Sequence, residues 1–328
     1  MNIAKLFLAF TVLSLCACES KLINYNKRPA LQKAVSYFDE VDYLYDIRCL
    51  DINNNSLYVV GYDAGNIFQM SMDLEPLRKL GSKGKGPGDL LITPQIAFHE
   101  SKLFAISSNK QSILSFDVST GRFLDEKKLP TTLAGSEFKY RFFYNEGIFY
   151  ANNLNLGYFL FKIKDGDFFD GFEDNNEVQD TMNYYMKSGA HVLKSSDGIV
   201  HISNSKPIIQ EFAIGGELLR IIDLKDVPAI KERLGFINRS EVLASNQFYN
   251  IIEDAFIDVL NEKLYILSIS GRDSPLCNVI SVFNLEEEIV YEGQLILASN
   301  WYKTIAVKDN SLFAFNVNNS TVEKYLIN

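Results

Sequence analysis

The sequence predicts an all-β chain of six repeated units that close into a ring. The first observation is an apolar phrase of four residues that begins with Leu or Ile and follows a short polar turn. The phrases begin at Leu57, Leu103, Ile148, Ile199, Leu264 and Leu312. The steps between these leading residues are 46, 45, 51, 65 and 48 residues. A repeat of this length that is built from short strands is typical of a β-propeller.

The composition is the second observation, and it favours strands over helices. The 328 residues include 24 Phe and 17 Tyr but only one Trp and five Met, and aromatic residues are enriched in strands. A hydrophobic fraction of 47% with 22% charged residues suits a globular chain with a sizeable core. The net charge of −9 argues against a nucleic-acid partner, because nucleic-acid-binding surfaces are usually basic.

Each unit is predicted to contain four short strands separated by turns. In the second unit the predicted strands are 95–98, 103–106, 112–116 and 123–129. Apolar and polar residues alternate in the third of these strands, as expected for a pleated strand with one buried face.

The third observation is that the last unit contains only three predicted strands. Its final strand, 320–326, leaves no room for a fourth, while a spare strand is predicted at 34–38. Pairing the spare strand with the last unit would close the ring and remove two open sheet edges. The sequence therefore predicts a six-bladed β-propeller closed by an N-terminal strand. The alternatives are an open stack of units and a pair of β-sandwiches.

The first 18 residues are predicted to be a lipoprotein signal peptide. The apolar stretch 6–15 is too short to span a bilayer as a helix. The motif at 15–18, Leu-Cys-Ala-Cys, resembles the lipobox of bacterial lipoproteins, and Cys18 follows the small Ala17. Cys18 is therefore the predicted lipidation site. The alternative is an ordinary secretory signal in which the cysteine is incidental.

The remaining chain is divided into a polar tether at 19–36 and the propeller at 37–328. Two insertions are predicted near 172–189 and 226–256, and the second begins like a helix because Pro228 lies at its first turn. Each insertion is interpreted either as a functional lid or as a plain cover over the propeller. The predicted partner is a membrane, which the chain contacts through its lipid anchor. The predicted location is the outer membrane, either on its periplasmic face or at the cell surface.

A glycine-rich loop lies between the first two units. Its sequence at 81–90, Gly-Ser-Lys-Gly-Lys-Gly-Pro-Gly-Asp-Leu, resembles a phrase that ends a blade in six-bladed propeller lipoproteins of Bacteroides-type bacteria. Asp89 stands where that family usually has Glu, and Leu90 where it has Phe. These proteins are similar to NHL-repeat and TolB-type propellers. The resemblance implies the fold and an exported location, and it says little about activity.

The same loop offers two candidate anion-binding residues, Lys83 and Lys85. They lie beside backbone N–H groups that the glycines leave accessible. The loop is not a P-loop, because no Gly-Lys-Ser/Thr ends it and no helix follows. The alternative interpretation is a purely structural connection between blades.

A second set of candidate residues comes from the repeat itself. Inner strands of a propeller line its channel, and counting back nine residues from each leading Leu or Ile gives one position in each unit. These positions are Arg48, Pro94, Lys139, Ala190, Ala255 and Lys303. Three of them are basic, and Arg141 is close by. A basic ring would attract an anionic ligand such as a carboxylate or a sugar acid, while the alternative is that these are solvated turn charges.

No catalytic or metal-binding motif is predicted. The three histidines, at positions 99, 191 and 201, include no pair with metal-ligand spacing. The acidic run 165–171 lacks the oxygen ligands that an EF-hand requires. The sequence predicts no cofactor and no metal, and it predicts that Cys49 and Cys277 are buried free thiols.

These observations favour a lipid-anchored binding or interaction module over an enzyme. The predicted partner is an anionic small molecule, a glycan, or an outer-membrane or periplasmic protein. One alternative is a metal-dependent propeller enzyme of the lactonase or lyase type. Another is an accessory subunit of a surface nutrient-uptake complex.

Overall fold

The computed structural model describes residues 25–62, 65–93, 95–129, 139–153, 158–164, 167–174, 189–238, 249–271 and 275–327. The predicted signal peptide with Cys18 lies outside these ranges, as do Pro94 and most of the 172–189 insertion. Within them, no helix has both the length and the apolar character that crossing a membrane requires.

The described chain begins with two strands, β1 (Tyr25–Lys27) and β2 (Ala30–Val35). Blade 1 contains β3 (Ile47–Asn53), β4 (Ser56–Gly61), β5 (Ile67–Ser71) and β6 (Pro76–Leu80). Blade 2 contains β7 (Ile96–His99), β8 (Lys102–Ser107), β9 (Ser112–Asp117) and β10 (Phe123–Lys128). Blade 3 contains β11 (Phe143–Asn145), β12 (Ile148–Asn153), β13 (Tyr158–Lys164) and β14 (Asp167–Asp174).

Blade 4 contains β15 (Ala190–Lys194), β16 (Gly198–Ser203), β17 (Ile208–Ala213) and β18 (Leu218–Asp223). Helix α1 (Pro228–Ile237) follows it. Blade 5 contains β19 (Ile252–Asp258), β20 (Lys263–Ser270), β21 (Leu276–Asn284) and β22 (Val290–Ile296). Blade 6 contains β23 (Tyr302–Lys308), β24 (Ser311–Asn316) and β25 (Thr321–Leu326). Consecutive strands pair antiparallel in every blade, so the predicted six-bladed propeller is confirmed.

The ring closes through β2, as the strand count predicts. β2 pairs antiparallel with β25, with Val35 opposite Val322. The closing strand spans 30–35 rather than 34–38, because Phe38 is buried by loop packing against Phe68, with ring centroids 4.8 Å apart. β1 adds a parallel fifth strand to β22 of blade 5. The predicted tether boundary at residue 36 is therefore too late, because residues of β1 and β2 belong to blades 5 and 6.

The core lies between neighbouring blades rather than at one centre. One cluster joins blades 1 and 2 and includes Tyr58, Val60, Leu103 and Phe116. Both faces of each second strand are covered by adjacent blades, which explains why its apolar phrase runs without polar alternation. The leading Leu103 is fully buried.

Helix α1 connects blades 4 and 5 and begins at Pro228, as predicted. Its Ile230 is fully buried in a cluster that includes Ile209 and Leu264. The described part of the 226–256 insertion is thus packed onto the propeller. Cys49 and Cys277 are both buried and free, as predicted.

Candidate functional site

A cavity of about 430 Å³ lies at the end of the channel where the inner strands begin. The first and second strands of each blade run antiparallel, so the second strands end at the same face of the propeller at which the inner strands begin. The cavity is lined by Arg48, Tyr62, Gln95, Lys139, Tyr140, His191, Asn204, Asn250, Ile252, Glu253, Asp254 and Lys303. This volume is in the range of small-molecule binding sites.

Three of the four predicted channel-mouth cations line this cavity. Arg48 is the second residue of β3, Lys303 is the second residue of β23, and Lys139 precedes β11. The Arg48 guanidinium lies 4.9 Å from the Tyr62 ring centroid. Lys303 donates a hydrogen bond to Glu253 at the cavity wall. The fold therefore brings together basic residues that lie far apart in the sequence.

Arg141, the fourth predicted cation, does not line this cavity. It is only 4% exposed and makes a bidentate ion pair with Asp254, with both N–O distances 2.7 Å. It also donates hydrogen bonds to the carbonyl oxygens of Leu50, at 3.1 Å, and Ile305, at 2.7 Å. The prediction of a mouth residue is wrong here, because Arg141 lies deeper and ties blades 1, 3, 5 and 6 together.

The Arg141–Asp254 pair divides the channel. Asp254 lines the cavity described above, whereas Arg141 lines a smaller one of about 220 Å³. The smaller cavity is lined by residues further along the inner strands, including Phe98 and Val259. The pair therefore forms the floor of the larger cavity. Burial raises the pKa of Asp254, but the charge and hydrogen bonds of Arg141 outweigh burial and hold that pKa below its usual range.

Three lining residues, each at least 97% buried, carry a polar atom that has no hydrogen-bond partner among the described residues. These atoms are Gln95 Oε1, His191 Nε2 and Asn204 Oδ1. The Gln95 amide nitrogen donates to the carbonyls of Arg48 and Lys139, and this orientation fixes Oε1 as a free acceptor. Buried polar groups are nearly always paired, so such atoms call for a ligand or water.

His191 lies in this wall as a neutral imidazole. Its Nδ1 lies 3.5 Å from the Arg141 backbone nitrogen and 3.6 Å from Asp254 Oδ1, while its Nε2 has no hydrogen-bond partner among the described residues. Burial lowers the pKa of His191 to about 4, so the ring is uncharged near neutral pH. Burial also raises the pKa of Tyr140 to about 12, and the Tyr140 hydroxyl accepts a hydrogen bond from Asn204 Nδ2 at 2.7 Å.

Several lining residues were missed by counting along the sequence, and three of them come directly after a counted position. Gln95 follows Pro94, Tyr140 follows Lys139, and His191 follows Ala190. Side chains of successive residues in a strand point to opposite faces of the sheet. The count therefore located the correct height along the channel, but not always the residue whose side chain lines the cavity. Tyr62 and Asn204 follow the second strands β4 and β16, which the count did not cover.

No residue of the glycine loop, which contains Lys83 and Lys85, is among the residues that line the cavity. The Asp89 N–H donates to the Gly86 carbonyl at 3.1 Å, and Gly88 has φ 75°, as the third residue of a type II turn requires. The Asp89 carboxylate accepts hydrogen bonds from the Gly86 N–H, at 2.8 Å, and from the Ser82 hydroxyl. The loop thus supplies its own anion, which favours the structural interpretation. Anion binding by Lys83 and Lys85 stays a prediction.

No group of three or more metal-ligating side chains is found in the described part of the chain. The two carboxylates in the cavity wall already have cationic partners, Glu253 with Lys303 and Asp254 with Arg141.

The comparisons with known proteins bear on the fold. No family model matches the chain, and no curated protein matches it. Among solved structures, the chain is similar to a member of the DUF4221 family from Bacteroides vulgatus, with 10% identity, a TM-score of 0.59, and coverage of 91% of this chain and 97% of that one. A candidate exported protein of Bacteroides fragilis shows 12% identity, a TM-score of 0.57, and coverage of 92% and 98%.

The likeness extends to a WD40-repeat propeller. The WD40 repeats of RRP9 match at 10% identity with a TM-score of 0.59, covering 93% of this chain and all of the other. At such identities the matches establish the propeller fold alone.

Proposed function

We propose that this chain is a lipid-anchored binding module outside the cytoplasm, whose channel cavity binds a small hydroxylated carboxylate. The observation that supports it best is the cavity wall, which combines Arg48, Lys139 and Lys303 with three unpartnered polar atoms. Arg48 and Lys303 are each paired with one carboxylate, Asp46 and Glu253, and their remaining N–H donors suit a carboxylate of the ligand. The two amide oxygens suit hydroxyl donors, and the imidazole Nε2 suits a hydroxyl group, which can both donate and accept a hydrogen bond. A sugar acid provides all of these groups.

The cavity also suits binding without large rearrangement. The Arg141–Asp254 floor and the strands around it are buried and extensively hydrogen-bonded. Such a preformed wall lowers the entropy cost of binding. Basic groups inside a recessed cavity also attract anions in a chain whose net charge is −9.

The binding test compares D-galacturonate with D-galactose by isothermal titration calorimetry. We expect galacturonate to bind and galactose to bind at least tenfold more weakly. The Lys139→Ala variant should lose about tenfold in galacturonate affinity, because one charge-assisted hydrogen bond contributes about 1.5 kcal/mol or more. The matched control is Lys128→Ala, since Lys128 is exposed on β10, away from the cavity. Equal affinities for the two sugars, or an unchanged Lys139→Ala affinity, would contradict the proposed ligand class.

The lipid anchor is supported by the lipobox-like sequence before Cys18. The likeness to Bacteroides propellers, one of them a candidate exported protein, is consistent with a location outside the cytoplasm. The anchor is proposed to hold the propeller at the outer membrane.

Expression in a Bacteroides host tests the anchor. We expect the wild-type chain in the membrane fraction, with mass spectrometry showing a diacylglyceryl group on Cys18. The Cys18→Ser variant should leave the membrane pellet or retain its uncleaved signal. A matched Cys49→Ser variant should stay membrane-bound, because Cys49 is buried in blade 1. An unmodified Cys18 in a membrane-bound wild-type chain would contradict lipidation.

A further inference from the structure

The loop between β2 and β3 carries a row of exposed aromatic side chains. Tyr37 is 55% exposed, Tyr43 is 40% exposed and Tyr45 is 50% exposed. The centroids of Tyr37 and Tyr43 lie 5.1 Å apart, and those of Tyr43 and Tyr45 lie 6.3 Å apart with the last two rings nearly parallel. These three residues are called the tyrosine rim below. Exposed aromatic side chains that contact one another form a candidate interaction surface.

The rim is held in place by contacts inside its own loop and by contacts from the loop to blade 1. Phe38 is buried against Phe68, and the Asp39 carboxylate accepts the backbone N–H groups of Val41 and Asp42, both at 2.9 Å. Lys79 of blade 1 binds Asp39 at 2.7 Å and also binds Asp42. The loop is therefore ordered before any ligand arrives, which reduces the entropy cost of using it.

The rim connects directly to the cavity. Asp46, the residue after Tyr45, binds Arg48 with an Oδ1–Nε distance of 2.8 Å. Its carbonyl oxygen accepts the Tyr62 N–H at 3.0 Å. Both Arg48 and Tyr62 line the cavity. The tyrosine rim and the cavity are therefore neighbouring parts of one face of the propeller.

This combination indicates the kind of ligand. A flat aromatic ring offers an apolar face with a polar hydroxyl at its edge. A sugar ring has a matching arrangement, with C–H groups on its face and hydroxyls at its rim. A row of three tyrosines offers stacking surface to more than one sugar residue, and the adjoining cavity offers cations and unpartnered polar atoms to an acidic one. An apolar peptide would use the rim but not the charged cavity.

We propose that the tyrosine rim and the cavity form one extended site for an acidic oligosaccharide. The terminal uronic acid lies in the cavity, and the sugar residues that follow it lie against Tyr45 and Tyr43. This inference rests on the proposed function, because it extends the same ligand by further residues.

The test compares D-galacturonate with tetragalacturonate by calorimetry and NMR titration. We expect the tetramer to bind wild type at least tenfold more tightly than the monomer. In Tyr45→Ala the ratio of tetramer affinity to monomer affinity should fall by about tenfold, since an aromatic contact contributes up to about 1.5 kcal/mol. The affinity for the monomer should stay unchanged, because the monomer lies in the cavity and does not reach the rim. The control is Leu260→Ala, which removes an 81% exposed apolar side chain from the β19–β20 turn.

The outcomes separate the two proposals. If the monomer fails to bind wild type, the proposed function fails and the extended site fails with it. If the monomer binds but the tetramer gains nothing, only the extended site is overturned. A Tyr45→Ala variant that weakens monomer and tetramer equally would also overturn it, because the rim would then act only through the cavity. Unchanged tetramer affinity in Tyr45→Ala would overturn the extended site as well. If the rim then bound a protein partner, the surface would be assigned to protein binding.

Discussion

Replacing Arg141 with Met is expected to lower the free energy of unfolding by about 3–5 kcal/mol. The substitution leaves the Asp254 carboxylate, which is 3% exposed, without its cation, and removing one partner of a buried ion pair typically has an effect of this size. It also leaves the carbonyl oxygens of Leu50 and Ile305 without the guanidinium donor. These partners belong to blades 1 and 6, so the loss weakens contacts across the ring rather than within one blade.

Urea unfolding followed by far-UV circular dichroism and by the fluorescence of Trp301 measures this loss. The exposed Arg122→Met variant is the matched control and should stay within about 0.5 kcal/mol of wild type. The double variant Arg141→Met/Asp254→Leu should recover part of the loss, because it removes the uncompensated charge as well. An Arg141→Met variant within 1 kcal/mol of wild type, or a double variant that loses the full sum, would show that the pair does not hold the blades together.

The role of Arg141 could not be read from the sequence. The residue lies two positions after Lys139, a counted channel position, and the sequence therefore predicts a basic group at the channel mouth. Its partner Asp254 is 113 residues away, and no local pattern relates the two. Depth along the channel and the choice of ion-pair partner depend on how neighbouring blades pack, which a single sequence does not reveal.

The fold, by contrast, was largely predictable because its signals are local and repeated. Each buried second strand has to be apolar on both faces, and this leaves the same phrase in all six units. Ring closure followed from counting strands. The parallel pairing of β1 with β22 was not predicted, since β1 is three residues long and has no apolar alternation.

The cavity was predictable in part for the same reason. Arg48, Lys139 and Lys303 lie at equivalent points of three units, so the repeat located them. The unpartnered atoms of Gln95, His191 and Asn204 are properties of packing and hydrogen-bond geometry. Sequence reasoning therefore identified the charge of the site but not the groups that would distinguish a sugar acid from another anion.

The closing blade supplies the second large effect, through the buried carboxylate of Glu323. This residue is 4% exposed, and the hydroxyls of Tyr302 and Tyr325 both lie within hydrogen-bonding distance of its Oε2. Asn316 Nδ2 donates to Oε1 at 2.8 Å. Burial raises the pKa of Tyr302 to about 12, which keeps its hydroxyl protonated as a donor. Glu323 thus joins all three strands that blade 6 takes from the C-terminal segment.

The Glu323→Leu variant is expected to lose about 2–4 kcal/mol of unfolding free energy, because it leaves the Asn316 amide and one phenol hydroxyl buried without an acceptor. The other phenol keeps an acceptor, since the Tyr302 and Tyr325 hydroxyls lie 2.7 Å apart and hydrogen-bond each other. Since Glu323 lies opposite Ala34 of β2, the ring should also open more readily at this seam. Hydrogen exchange should therefore accelerate in β2 and β25 more than in β8 of blade 2. Glu323→Gln, which keeps one acceptor oxygen, should lose less, and the exposed Glu217→Leu should leave both stability and exchange unchanged. Uniform acceleration in all blades would argue that Glu323 stabilises the propeller as a whole rather than its closure.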